Sequence, residues 1–218
     1  TGVDTDDSGS DTFDSKLAYV GLDSNMGSLS VGRQSHPFTD NIGGKTSIFN
    51  VYGGGSDWNY GSRSSNSMKF STTQSGLTLD TIGIVDGSST NTNAFDEFEV
   101  TISTKLLGSD ISVGYADDVN SDISYWGVSG STDLGPLTVS SSYTIYDAAT
   151  DKYGLEATAS YSIFSVGYGD KEGTGLAYTA GVSHDLNDSV SVYAEGEMTD
   201  LDSGSDTTSW SIGSKFTF

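Results

Sequence analysis

Alternation of apolar with small or polar residues, broken by turn residues at regular intervals, constrains this chain more than any other feature. Such segments cover residues 15–23, 27–35, 64–72, 76–85, 96–107, 110–117, 122–133, 137–147, 152–162, 164–169, 174–185, 189–199 and 207–218, which makes thirteen expected strands. Leu137, Val139, Tyr143 and Ile145 share one parity, and Thr138, Ser140, Ser142 and Thr144 fill the other. Phe98, Val100 and Ile102 alternate with Glu99, Thr101 and Ser103 in the same way. The connections alternate as well. Tight turns at 24–26, 73–75, 108–109, 134–136, Ile163 and 186–188 take turns with longer links at 36–63, 86–95, 118–121, 148–151, 170–173 and 200–206. A meandering barrel sheet, with short turns at one end and longer loops at the other, has this rhythm, whereas a Greek-key sandwich does not keep it so strictly.

The link from His36 to Arg63, roughly 28 residues, exceeds every other connection. Loops beyond about 12–15 residues without structure of their own are usually functional or disordered. This one carries Phe38, Ile48, Phe49, Val51, Tyr52, Trp58 and Tyr60, too much apolar surface for a solvated tail. It is expected to lie against the inside of a barrel, with Gly53–Gly55 giving the backbone freedom to turn inward. The same glycines are not a phosphate-binding loop, because no Gly-Lys-Ser/Thr follows them.

Composition narrows the class further. With 34% hydrophobic residues and very many Ser and Thr, a solid water-soluble core would be meagre, and polar side chains are expected to fill an interior. A net charge of −21 without a basic stripe disfavours nucleic acid as a partner. There is no Cys for a disulfide scaffold and no apolar run long enough for a helical membrane span, which leaves a β-barrel span open. Aromatic residues near strand ends fit a membrane-interface girdle: Tyr19, Tyr115, Tyr125, Trp126, Tyr161, Tyr168, Tyr178, Trp210, Phe216 and Phe218. A soluble sheet with one buried face produces the same alternation. The alternative is therefore a secreted acidic β-sandwich, an adhesin or carbohydrate-binding protein with the aromatic loop as its binding surface.

LAYVGLDSNMGSLSVGRQSHPF at Leu17–Phe38 resembles the general bacterial outer-membrane porins, in which a strand ending in GRQ leads into a constriction loop. NSMKF at Asn66–Phe70 is similar to the strand by which they leave that loop. SIGSKFTF at Ser211–Phe218 resembles their terminal assembly signal. The resemblance implies a transmembrane antiparallel β-barrel of sixteen strands, a homotrimer in contact with outer-membrane lipid and lipopolysaccharide, and passage for ions and small hydrophilic solutes. The family places the constriction loop after the fifth strand, and here two strands precede it. Three N-terminal strands are therefore expected to be absent, with a smaller barrel as the alternative. The acidic segment holding Asp4, Asp6, Asp7, Asp11 and Asp14 is then expected to be the second external loop, near a subunit boundary. A receptor role for such a barrel stays open.

No catalytic constellation stands out, and no enzyme activity or required cofactor is expected. His36 and His184 read as rim residues, and a Glu195/Glu197 pair is a poor acid–base dyad. Charge at a constriction decides which ions pass, because low-dielectric walls focus the field there. The acidic candidates on the loop are Asp40 and Asp57; Arg63 and Lys69 share the parity of Ser65 and Ser67 and should face them. Lys105 and Lys215 are lumen candidates by the same test. Arg33 matches a pore-facing basic residue of the family, but alternation groups it with Leu29 and Val31; either the strand bulges near Gly32 or Arg33 is a rim residue. With nine basic residues against 30 acidic ones, the path should prefer cations. Acidic loop residues Asp117, Asp118, Asp122, Asp202 and Asp206 could hold Ca2+ or Mg2+ through carboxylate oxygens.

Overall fold

The structure, a computed structural model, describes residues 2–3, 13–14, 16–58, 61–85, 95–119 and 121–217. Asp4, Asp6, Asp7, Asp11, Tyr60 and Phe218 lie outside the described residues, and only the backbone of Asp14 is described. After two short paired segments, β1 (Gly2–Val3) and β2 (Phe13–Asp14), thirteen strands follow. They are β3 (Ala18–Ser24), β4 (Gly27–Ser35), β5 (Arg63–Gln74), β6 (Leu77–Ile84), β7 (Glu97–Leu106), β8 (Ser109–Asp118) and β9 (Ile123–Leu134). Then come β10 (Leu137–Asp147), β11 (Lys152–Tyr161), β12 (Phe164–Lys171), β13 (Gly175–Asn187), β14 (Val190–Leu201) and β15 (Thr207–Phe216). All thirteen form one antiparallel sheet in which sequence neighbours are spatial neighbours, from β3 through to β15.

Turn chemistry sets this register. Gln74 pairs with Leu77 across Ser75–Gly76, and Leu106 with Ser109 across Leu107–Gly108. Both central residues of each turn have φ between 52° and 86°, the paired left-handed conformation that matches strand twist in two-residue hairpins. At the opposite end the strands are joined by the longer links. The short-turn end and the long-loop end are therefore distinct faces of the molecule.

Alternation then sorts the side chains. One face carries uncovered apolar residues: Val20 is 76% exposed, Leu22 72%, Trp210 75% and Ile212 75%. The other carries Ser, Thr, Gly and carboxylates, and its middle is buried, including Glu99, Thr101, Ser112, Ser142 and Thr144. A two-sheet sandwich would bury the apolar face and wet the polar one. The arrangement is the reverse, which suits hydrocarbon outside and water inside. Contacting rings on the outer face near the long-loop end, Tyr115–Trp126, Tyr143–Tyr153 and Tyr168–Tyr178, have centroids 4.5, 6.2 and 5.6 Å apart. Two residues expected in this girdle turn inward instead. Tyr125 shares its parity with Gly127 and Ser129 and is buried, and Tyr19 stands opposite Gly32 on the inner face.

Candidate functional site

The long link lies on the inner face. His36 leads into a five-residue helix, α1 (Pro37–Asn41), followed by a single 3-10 turn, Gly43–Lys45. Phe38 and Ile42 pack on Ala116 and Tyr125, with Trp58, Ile123 and Tyr146 around them. The wall makes room with glycine: a Cβ on Gly127 would stand 2.8 Å from both Phe38 and Ile42, and one on Gly114 3.0 Å from Phe38. Farther along, Ser56 sits against Gly154 and Gly169, and Phe49 against Gly167 and Gly181. Ile48 and Val51 stay exposed, so apolar burial fixes the ends of the loop more than its tip.

Wall carboxylates hold the tip. Glu195 accepts the Asn50 backbone N–H at 2.7 Å, the Asn50 side-chain amide at 2.9 Å and the Val51 N–H at 2.9 Å. Glu197 accepts the Gly53 N–H at 2.9 Å. Glu156 takes the Gly55 and Ser56 N–H groups at 2.6 and 2.7 Å and the Thr46 hydroxyl at 2.6 Å. At the root of the loop, Glu99 accepts the Phe38 N–H at 2.9 Å and meets His36 Nδ1 at 2.7 Å. Lys171 donates to the carbonyls of Gly55 and Asp57 and lies 4.4 Å over the Trp58 ring, which Lys152 also faces.

The residues anticipated at a constriction divide into two groups. Asp40, Asp57 and Arg63 line one recess of about 340 Å3, together with Thr39, Gly44 and Ser47. Lys69 Nζ is 3.6 Å from Asp40 and donates to the Ser35 carbonyl, and Ser35 Oγ donates to Asp40 at 2.6 Å. Asp57 is nearly buried and accepts from Ser142 at 2.7 Å. Burial, reinforced by the Glu156 carboxylate, pushes Asp57 up to about 6; the Ser142 hydrogen bond and Lys171 pull the other way. The remaining basic residues are elsewhere. Lys105 pairs with Asp110 at 3.0 Å beside the Leu107–Gly108 turn, and Lys215 is exposed opposite Ser191 at the short-turn end of β15.

A bulge does interrupt β4 and β5 at Arg33, but the extra residue belongs to β5: Ser65 and Asn66 oppose Arg33, and Asn66 adopts φ 53°. Arg33 keeps the parity of Leu29 and Val31 opposite Ala18, and its guanidinium donates to Ser65 Oγ at 3.2 Å. It does not join Asp40 and Lys69. His36 is no rim residue: it is fully buried, because the loop folds back over it. His184 remains exposed, opposite Val192. Among the described residues, Asp117, Asp118, Asp122, Asp202 and Asp206 do not gather three ligand groups. Asp118 lies directly across from Glu97, and Asp206 accepts the Leu201 N–H.

The clasping role of the glutamates, Glu195 and Glu197 included, and that of Lys171 escaped sequence reasoning, although a signal existed. Of six glutamates, five (Glu97, Glu99, Glu156, Glu195 and Glu197) sit in strands at inner parity, whereas aspartate dominates the loops. The extra methylene lets a wall residue reach across to another segment's backbone.

A polar-lined, apolar-coated antiparallel meander with a long segment folded onto its inner face is the architecture of an outer-membrane β-barrel protein. Residues 2–214 match the sequence profile of the Gram-negative porin family, and the chain belongs to that family. Its site is the bacterial outer membrane, and family membership points to a channel rather than an enzyme. A search of curated protein sequences finds no significant match. Among solved structures the chain is similar to Salmonella typhi OmpF, with TM-score 0.74 at 15% identity over 92% of this chain and 77% of that one. It is also similar to a loop-L8 deletion mutant of Vibrio cholerae OmpT, with TM-score 0.72 at 16% identity over 91% and 78%. The trimer form of that OmpT gives TM-score 0.71 at 16% identity over 92% and 80%.

Proposed function

We propose that the chain forms a passive diffusion channel for ions and small hydrophilic solutes, narrowed by residues 36–63 and preferring cations. The observation that carries this reading is the loop itself, clasped to the inner wall with Asp40, Asp57 and Arg63 around one recess and Lys69 beside Asp40. A loop so held narrows the path without closing it, and small charged side chains at the narrowing act where the field is strongest. Cation preference is supported by the excess of 30 acidic over nine basic residues, several of the latter engaged: Lys171 with loop carbonyls, Lys105 with Asp110. Assembly as a homotrimer is part of the proposal, supported by the trimer form in which the similar OmpT was solved. Reconstitution into planar bilayers tests the channel: discrete conductance steps that scale with salt are expected, and folded protein that inserts without conducting would overturn it.

A further inference from the structure

One wall carboxylate is left out of the loop clasp. Glu97 is 1% exposed, on the same face of β7 as Glu99, and neither of its oxygens accepts a hydrogen bond. Its Oε1 lies 3.4 Å from His36 Nδ1, which is itself 2.7 Å from Glu99 Oε1. The other imidazole nitrogen, Nε2, meets Ser64 Oγ at 2.8 Å. When Nε2–H donates to Ser64, Nδ1 presents a lone pair to the carboxylate oxygens. Three electron-rich atoms then face one another in a site shut off from water, and no lysine or arginine pairs with Glu97 or Glu99 among the described residues. Such an arrangement calls for a positive charge between the groups.

We propose that His36, Glu97 and Glu99 form a binding site for one divalent cation of the zinc class, with His36 Nδ1 and an oxygen of each glutamate as ligands. One donor atom from each residue lies within 4.8 Å of the others, and all three residues are buried. Tetrahedral bonds of about 2.0–2.2 Å to a common ion set neighbouring donors roughly 3.3–3.6 Å apart; His36 Nδ1 is 3.4 Å from Glu97 and 2.7 Å from Glu99, so a small adjustment at Glu99 admits the ion. A mixed imidazole–carboxylate set selects zinc-class ions over Ca2+ or Mg2+, which take oxygen ligands. With an ion on Nδ1, the Ser64 hydroxyl would accept the Nε2–H as the outer partner of the imidazole. Asp118, across the ladder from Glu97, adds a further negative charge at the site's edge. His36 precedes α1, and its backbone N–H donates to the Ser62 carbonyl, so an ion here would tie both ends of the long loop to β7.

The site rests on the fold alone and is tested apart from conductance. The full chain in detergent, stripped with a chelator, is titrated calorimetrically with zinc chloride, and separately with calcium and magnesium chloride. One tight zinc site per chain is expected, with Ca2+ and Mg2+ binding far more weakly. Glu97→Gln keeps the side chain's shape and, as the loss of a direct ligand, should weaken zinc binding by more than the roughly 10–100-fold typical of losing an outer partner. Should that variant fail to fold, the wild-type melting temperature decides, and it should rise with zinc relative to chelator. Absence of a stoichiometric zinc site, unchanged affinity in Glu97→Gln, or a melting temperature indifferent to zinc would overturn the proposal and leave a proton shared between Glu97 and Glu99.

Discussion

Glu195 shows how much one side chain can settle. Its two oxygens gather donors from Asn50, Val51 and Tyr52, a segment separated from it by more than 140 residues of chain. Hydrogen bonds to a buried carboxylate are worth roughly twice neutral ones. Glu195→Gln turns one acceptor into a donor aimed at loop N–H groups and should cost about 2–4 kcal/mol. Hydrogen exchange is the sensitive check: the amides of Asn50–Gly53 should lose protection while those of β10 keep theirs. Asp57 makes a prediction in pH. Its folded value of about 6 lies above the ordinary 3.8, so the folded state holds the proton where the unfolded chain has lost it. Its contribution to stability is therefore full below pH 3.8 and lost as pH rises through about 6. Unfolding midpoints of Asp57→Asn should lack this part of the wild-type decline between pH 4 and 6; identical pH profiles would refute the assignment.

At the scale of elements, the loop's seat is cut into the wall by absent side chains. Strands β8 and β9 carry Gly114 and Gly127 beneath α1, where a methyl group would meet Phe38 and Ile42. Gly127→Ala should destabilise by about 1–3 kcal/mol through overpacking and raise single-channel conductance as the loop lifts. Gly130→Ala, three residues on, meets nothing nearer than 3.7 Å and should do neither. Equal conductance in the two variants would separate the glycine seat from the pore. The strands beneath were legible in sequence because a period of two needs only local information. The loop's partners were not, since which inner-face polar residue lies under it depends on register summed across many hairpins. His36 read as a rim residue for this reason, and the bulge expected near Gly32 lies instead in β5 at Asn66, a residue type that after glycine most readily takes a left-handed angle, and leaves Arg33 on its outer parity. The partition of glutamate into strands and aspartate into loops was the available clue.

For the whole molecule, the uncovered apolar face and the charge balance make the decisive statements. Val128 lies mid-strand on the outer face, so Val128→Arg should cost about 2–4 kcal/mol in a bilayer, read from folding titrations into lipid vesicles. A cost near zero would mean that this face does not meet hydrocarbon. The whole chain carries a net charge of −21, and the proposed path is narrowed by the clasped loop. Salt screens such a field over about 10 Å at 0.1 M, so selectivity should weaken as ionic strength rises. Reversal potential across a planar bilayer under a salt gradient tests the account most directly. The protein is predicted to give the sign of cation preference at low salt, diminishing at high salt; a clear anion preference would contradict it.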